Sequence, residues 1–96
     1  MSVVEVTTFT LRDGADEGAF LVADRRVQTE LIPNHSGFMR RTTARQGAHW
    51  LVVILWASLA DAEAFEVIAK GHPVHAEFER HVEAASISTR RFETLD

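Results

Sequence analysis

The residues from His49 to Ser58, His-Trp-Leu-Val-Val-Ile-Leu-Trp-Ala-Ser, include eight consecutive apolar residues (Trp50 to Ala57) and both tryptophans of the chain. Such a run is too short to cross a bilayer, which takes about 20 apolar residues. Its β-branched and aromatic content, with Gly47-Ala48 before it and a helix-start signal after it, marks a strand. A strand that is apolar at successive positions has both of its faces buried. The chain has 96 residues and is expected to form one domain over 1–96. Helices in so small a domain can cover one face of a sheet, so the other face needs a different cover.

The rest of the chain supplies the partners of that strand. Val3–Leu11 is rich in Val, Thr and Phe and reads as a first strand. Arg12-Asp13-Gly14-Ala15-Asp16 is a turn with acidic residues suited to a helix N-terminus. From Asp16 to about Ile32, Phe20, Ala23, Val27 and Leu31 fall on one stripe and Arg25, Arg26 and Thr29 lie opposite, which predicts an amphipathic helix. Pro33-Asn34-His35-Ser36-Gly37 ends it.

Phe38–Arg45 reads as a second strand, with Phe38, Arg40, Thr42 and Ala44 on one face and Met39, Arg41, Thr43 and Arg45 on the other. Gln46-Gly47-Ala48 is short enough for a hairpin into the central strand. Ser58-Leu59-Ala60-Asp61 resembles a capping box, and the helix after it is expected to turn Leu59, Ala62, Phe65 and Ile68 inward. Lys70-Gly71-His72-Pro73 breaks that helix near Gly71, since glycine suits a helix end and proline a first turn. The continuation Val74–Ala85 carries Val74, Phe78, Val82 and Ala85 on one stripe, and Ser86–Leu95 reads as a last strand.

The order is β-α-β-β-α-β. It predicts an α+β, ferredoxin-like fold, with a four-stranded antiparallel sheet and the helices on one face. The bare face, bearing residues of the apolar strand, is an interaction surface. A second copy stacked sheet to sheet covers it economically, so a homodimer is expected. Burial supports the same expectation, because a chain of this size hides only about 60–70% of its unfolded surface by itself.

Charge and composition exclude several classes. The net charge of −4 provides no basic footprint for nucleic acid or for an anionic membrane. The absence of cysteine removes disulfides, thiolate chemistry and cysteine–zinc sites. No glycine-rich phosphate loop, nucleophile elbow or paired-carboxylate signature occurs. The start of the sequence, Val3-Val4-Glu5-Val6, lacks the pattern of a secretory signal, so a cytoplasmic location is expected.

The polar residues most suited to chemistry are His72, His75, Glu79 and His81 on the last helical segment. At about 100° per residue, His75 and His81 flank the Val74/Phe78/Ala85 stripe and border its buried face. Histidine is the side chain best suited to proton transfer near neutral pH. The plainer alternative is a pair of boundary histidines beside Glu77 or Glu79. His72, His75 and Glu79 are acceptable metal ligands in kind, but such an i, i+4 pair is common by chance, and no metal is expected.

Trp50 and Trp56, six residues apart, share a strand face with Val52 and Ile54. They are either core or interface residues, or, for Trp56 near the strand end, the wall of a pocket completed by Phe65 and Phe78. Arg40 and Arg41, and likewise Arg90 and Arg91, point to opposite faces within each pair unless the strand is irregular. One of each is thereby directed at the helices or the dimer, where a buried arginine needs a carboxylate or a ligand anion.

The element order, the Pro-x-x-x-Gly-Phe junction Pro33–Phe38, the apolar third strand ending in Trp56, and Phe65 followed by Gly71-His72-Pro73 together resemble the dimeric α+β barrel superfamily, most of all its antibiotic biosynthesis monooxygenase branch. The resemblance spans nearly the whole chain, and its motifs encode folding junctions more than chemistry. It implies a homodimer with a small-molecule pocket between sheet and helices in each subunit, and a cofactor-independent, monooxygenase-like oxidoreductase acting on a small aromatic or polyketide-type compound.

Under that resemblance Trp56 matches the pocket tryptophan of the quinol-oxidising members. Their partner asparagine falls on Val52, and their helical arginine falls near Glu79 or Arg80. The haem-degrading members' asparagine falls on Thr7 or Thr8 and their tryptophan near Ile68; only their histidine has a counterpart, His75, so haem chemistry is not expected. The polyketide cyclases of this fold share the His72-Pro73 opening. The implied assignment makes His72 or His75 the proton acceptor and places Trp56, Phe65, Phe78, His81 and Arg41 around the substrate, with no cofactor. The alternatives are a cyclase of the same fold and a non-catalytic small-molecule-binding or dimerisation module.

Overall fold

A computed structural model describes residues 1–95 of the chain. Strand β1 (Val3–Phe9) leads to α1 (Glu17–Arg26), then β2 (Phe38–Gln46), β3 (His49–Trp56), α2 (Leu59–Lys70), α3 (Pro73–Arg80) and β4 (Ser88–Glu93). The four strands form one antiparallel sheet in the order β2-β3-β1-β4. This is the ferredoxin-like arrangement expected from the sequence, with the second helical region divided at Gly71 into α2 and α3.

Local signals account for the element ends. The Asp16 carboxylate accepts a hydrogen bond from Ala19 N–H and caps α1. Ser58 caps α2 by accepting from Asp61 N–H while its hydroxyl donates to the Asp61 carboxylate. Gly37 has a φ of +79°, and a Cβ there would overlap Asp61, so the turn into β2 sits directly against the start of α2. At the far end of β2 the hairpin is a two-residue turn, with Gln46 paired to His49.

The first helix keeps its predicted stripe, and Phe20, Ala23, Val27 and Leu31 are all buried. It does not continue as one α-helix. Val27–Leu31 forms a π turn, in which Ile32 N–H reaches the Val27 carbonyl five residues back, and Ile32–Asn34 tightens to a 3₁₀ turn. The wider turn brings Ile32 into the core beside Leu31.

Four expectations require correction. In α2 the buried stripe is Ala62, Phe65 and Ala69, while Leu59 and Ile68 are exposed. The two alanines leave space between that helix and the sheet that larger residues would fill. The final helix stops at Arg80, because Arg12 N–H binds the His81 carbonyl, Leu11 bridges Val82 and Glu83 N–H binds the Thr10 carbonyl. Backbone pairing with the segment after β1 replaces helical bonding there, and Ala85, expected inward, is exposed in a 3₁₀ turn. The outer strands are also trimmed, β1 ending at Phe9 and β4 spanning Ser88–Glu93.

The fourth correction concerns β2. Its register slips between Phe38 and Arg40. One extra residue in a strand reverses the facing of everything before it, so Phe38 leaves the face of Arg40 and packs edge-on against Trp56 at a ring-centre distance of 6.0 Å.

Strand β3 is fully buried on one face and half-buried on the other, where burial of both was expected. Trp50, Val52, Ile54 and Trp56 are buried beneath the helices, and the alternate residues Leu51, Val53 and Leu55 are half-buried on the opposite face. Both tryptophans are core residues on the helix side, Trp50 edge-on to Phe20 and Trp56 packed against Phe65.

Candidate functional site

Between the Trp50 and Trp56 ends of β3, the helices do not close fully on the sheet. A cavity of about 380 Å³ remains there. This is near the lower end of small-molecule sites, which run from about 300 to 1,000 Å³. Val52 and Ile54 line it from β3, Phe65 and Ala69 from α2, and His75 and Phe78 from α3. Lys70 and Ile87, both exposed, lie at its mouth.

The part of the cavity floor built by β1 and β4 is polar. Glu5 lies opposite Arg91 and Thr7 opposite Thr89 in the strand register, and all four line the cavity. The Glu5 carboxylate accepts from Arg91 Nε at 2.6 Å, and Arg91 Nη2 donates to Glu66 of α2 at 3.1 Å. The Thr7 and Thr89 hydroxyls share a hydrogen bond of 2.9 Å. Burial works against the charge of Arg91, but the bonds and charges of Glu5 and Glu66 outweigh it and raise its pKa above the ordinary value.

Of the seven residues given a catalytic or substrate-binding role from the sequence, four meet at this cavity, Arg41, Phe65, His75 and Phe78, and Glu79 lines it with them. Arg41 is nearly inaccessible and is held from α1 and the π turn after it, donating to Asp24 at 2.8 Å and to Gln28 at 3.4 Å. Its guanidinium lies 5.8 Å from the centre of the Phe78 ring, within cation–π range. Thr43 donates to the same Asp24 oxygen at 2.8 Å. In each arginine pair one member does point toward the helices, Arg41 and Arg91, and each meets a carboxylate.

His75 stacks on Phe78. Its Nε2 lies 3.5 Å from Glu79, and its Nδ1 is buried with no hydrogen-bond partner among the described residues. Burial lowers the imidazole pKa below its ordinary value. Glu79 opposes that shift, and the positive charge of Arg41 and the neighbouring His72 add to it. The shift favours the neutral ring, the form that can accept a proton.

The other three candidates stand elsewhere. His72 is the N-cap of α3, its Nδ1 accepting from Val74 N–H at 3.1 Å, and it does not line the cavity. His81 packs against Phe20, with Nε2 3.5 Å from Glu77, and is also off the cavity wall. Trp56 is fully buried between Phe38 and Phe65, one layer behind the wall, with Nε1 unpartnered among the described residues. Among the described residues no three His, Cys, Asp or Glu side chains form a group able to hold a metal ion, so His72, His75 and Glu79 do not converge.

Glu5, Thr7, Thr89 and Arg91 were not singled out as a set by the sequence. The signal was present: the alternation that turns Val3 and Phe9 toward the core places Glu5 and Thr7 on the same face.

Solved structures with this topology were found over almost the full chain. The structure of SnoaB, a cofactor-independent oxygenase from Streptomyces nogalater, superposes with a TM-score of 0.76 at 14% identity, covering 99% of this chain and 94% of that one. A candidate antibiotic biosynthesis monooxygenase from Bordetella bronchiseptica gives a TM-score of 0.81 at 12% identity, covering 98% and 97%. Rv0793 from Mycobacterium tuberculosis gives 0.70 at 12% identity, covering 100% and 97%. This is the antibiotic biosynthesis monooxygenase-like fold. At such identities the likeness establishes the monooxygenase-like architecture and leaves the chemistry to the residues of this chain. No protein-family model and no curated protein matches the sequence. No helix among the described residues is long and apolar enough to cross a membrane.

Proposed function

We propose that this protein is a homodimeric, cofactor-independent oxygenase acting on a small aromatic or polyketide-type compound in the cavity between sheet and helices. The observation that carries this reading is the His75 imidazole, its Nδ1 buried and without a hydrogen-bond partner among the described residues, in the wall of a cavity bounded by Phe65 and Phe78. An open cavity with polar groups on its floor also disfavours a purely structural module, whose interior would be filled and apolar. Members of the fold described as oxygenases support the reaction class.

In this reading His75 removes a proton from an activated ring CH₂ or phenol. The resulting carbanion or phenolate passes one electron to O₂, and the radical pair combines as a peroxide. Return of the proton from His75 and loss of water leave a carbonyl, so that a ring CH₂, or a ring CH together with the phenol proton, combines with O₂ to give C=O and H₂O. Glu79, beside Nε2, stabilises the imidazolium while it exists. Phe65 and Phe78 hold the ring and keep water from the radical pair.

The dimer is part of the proposal. Val4, Val6, Leu51, Val53 and Leu55 form a half-buried apolar band on the face turned away from the helices. Stacking a second sheet on this band completes its burial.

The test is oxygen uptake with an anthrone and hydroquinone panel in metal-free buffer. Turnover is expected, falling by about 10²-fold or more in His75→Ala, the usual worth of a positioned base. Its acid limb should lie below the ordinary imidazole pKa of about 6.5. Failure of every substrate, with binding unchanged by His75→Ala, would remove the oxygenase reading. Turnover that persists without oxygen would transfer the cavity to a cyclase.

A further inference from the structure

The floor of the cavity bears a carboxylate that ordinary packing does not require. Glu5 sits in the middle of β1, an interior strand, with its side chain 11% exposed, and it faces the cavity. A buried carboxylate is normally held by several hydrogen bonds. Arg91 could supply two of these to Glu5 as a bidentate fork. Instead its fork is divided, Nε to Glu5 and Nη2 to Glu66. Glu5 is thereby held through Oε2 alone, and no described residue donates to Oε1. Two residues along the same two strands, the Thr7–Thr89 hydroxyl pair continues the polar strip. Beside Glu5 the floor continues as apolar surface at Ile54, and Phe65 and Phe78 bound the cavity from the helices.

We propose that Glu5 is a substrate-binding residue whose free Oε1 accepts a hydrogen bond from a hydroxyl on the rim of an aromatic ligand, so that the site selects hydroxylated arenes over their O-alkylated counterparts. Arg91 is the positioning residue. Its contact with Glu66 ties β4 to α2 and its Nε holds the carboxylate turned into the cavity. The hydroxyl-bearing rim lies along β1 and β4, and the ring face lies under Phe65 and Phe78, beside His75. An ether oxygen at the same position has no proton to give and faces the carboxylate oxygen directly, so a methyl ether loses the bond and gains a repulsion. This assignment rests on the cavity being an aromatic-ligand site.

The experiment is equilibrium dialysis of 2-naphthol and 2-methoxynaphthalene against the full chain and its Glu5→Gln variant. The wild type should bind the naphthol at least about tenfold more tightly than the ether, the order contributed by a hydrogen bond to a charged group. In Glu5→Gln that preference should largely disappear while the ether's affinity is retained. Equal binding of the two compounds by the wild type overturns the proposal and leaves the aromatic reading of the cavity standing. That comparison needs no variant, so poor folding of Glu5→Gln does not spoil it. A preference that survives in a folded Glu5→Gln also overturns it. Binding of neither compound removes the aromatic reading and this assignment with it.

Discussion

The sheet surface beneath the helices has two unlike halves. Along β3 it is apolar throughout, with Trp50 and Trp56 at the ends and Val52 and Ile54 between them. Along β1 and β4 it presents Glu5, Arg91, Thr7 and Thr89 in paired register. The first half is closed by aromatic contacts, Trp50 with Phe20 and Trp56 with Phe65. The second half is left partly open, and the cavity lies where the two meet. The difference separates what holds the domain together from what can address a ligand. Apolar surface gains by being covered, whereas charged groups inside a protein are costly unless something bonds to them.

The sharpest challenge to this division is Trp56→Ala. If Trp56 belongs to the structural half, the truncation should cost about 3–5 kcal/mol in urea denaturation. Protein that remains folded should keep its ligand selectivity. Loss of selectivity with little loss of stability would move Trp56 to the functional half.

A smaller effect is expected from Arg41→Met, on β2 at the outer side of the apolar half. Removing one partner of a buried ion pair costs about 3 kcal/mol or more, and Asp24, partly solvated, keeps the figure at the low end. The same change removes a positive charge that lowers the His75 pKa. The acid limb of the activity profile should then move upward in pH. An unmoved limb would show that Arg41 serves the fold alone.

The smallest effect concerns pH and stability. The folded-state pKa of His75 is lowered by burial. Below the ordinary value of about 6.5 the unfolded chain therefore binds a proton that the folded chain resists. Stability is fully present above that pH and declines as pH falls toward the folded pKa. Thermal melts between about pH 7 and 5 should show this decline, and His75→Gln should flatten part of it. An unchanged slope would mean that His75 is better solvated than its packing on Phe78 implies.

Much of the fold was legible because its signals are local. The Asp16 and Ser58 caps, the Gly71-His72-Pro73 break, and the Phe20/Ala23/Val27/Leu31 stripe act over a few residues. The candidate site was legible in part. Arg41, Phe65, His75 and Phe78 do meet at one cavity, but His72, His81 and Trp56 lie off its wall. For His72 the competing use was capping, since a side-chain nitrogen next to a helix start is readily taken by a backbone N–H. Leu59 and Ile68 look more suited to burial than Ala62 and Ala69, yet the alanines face inward, because the separation of helix and sheet is a property of the assembled layers.

By itself, the sequence determined the order of elements, the apolar character of β3, and that one arginine in each pair turns inward, because period-2 and period-3.6 patterns are written in the chain. Only the tertiary structure decided where space remains. It placed Glu5 opposite Arg91 from 86 positions away, turned Phe38 over with a one-residue slip, and made the tryptophans the fixed ends of a strand whose middle forms the cavity floor. A cavity is what packing fails to fill, and that depends on how whole elements approach one another.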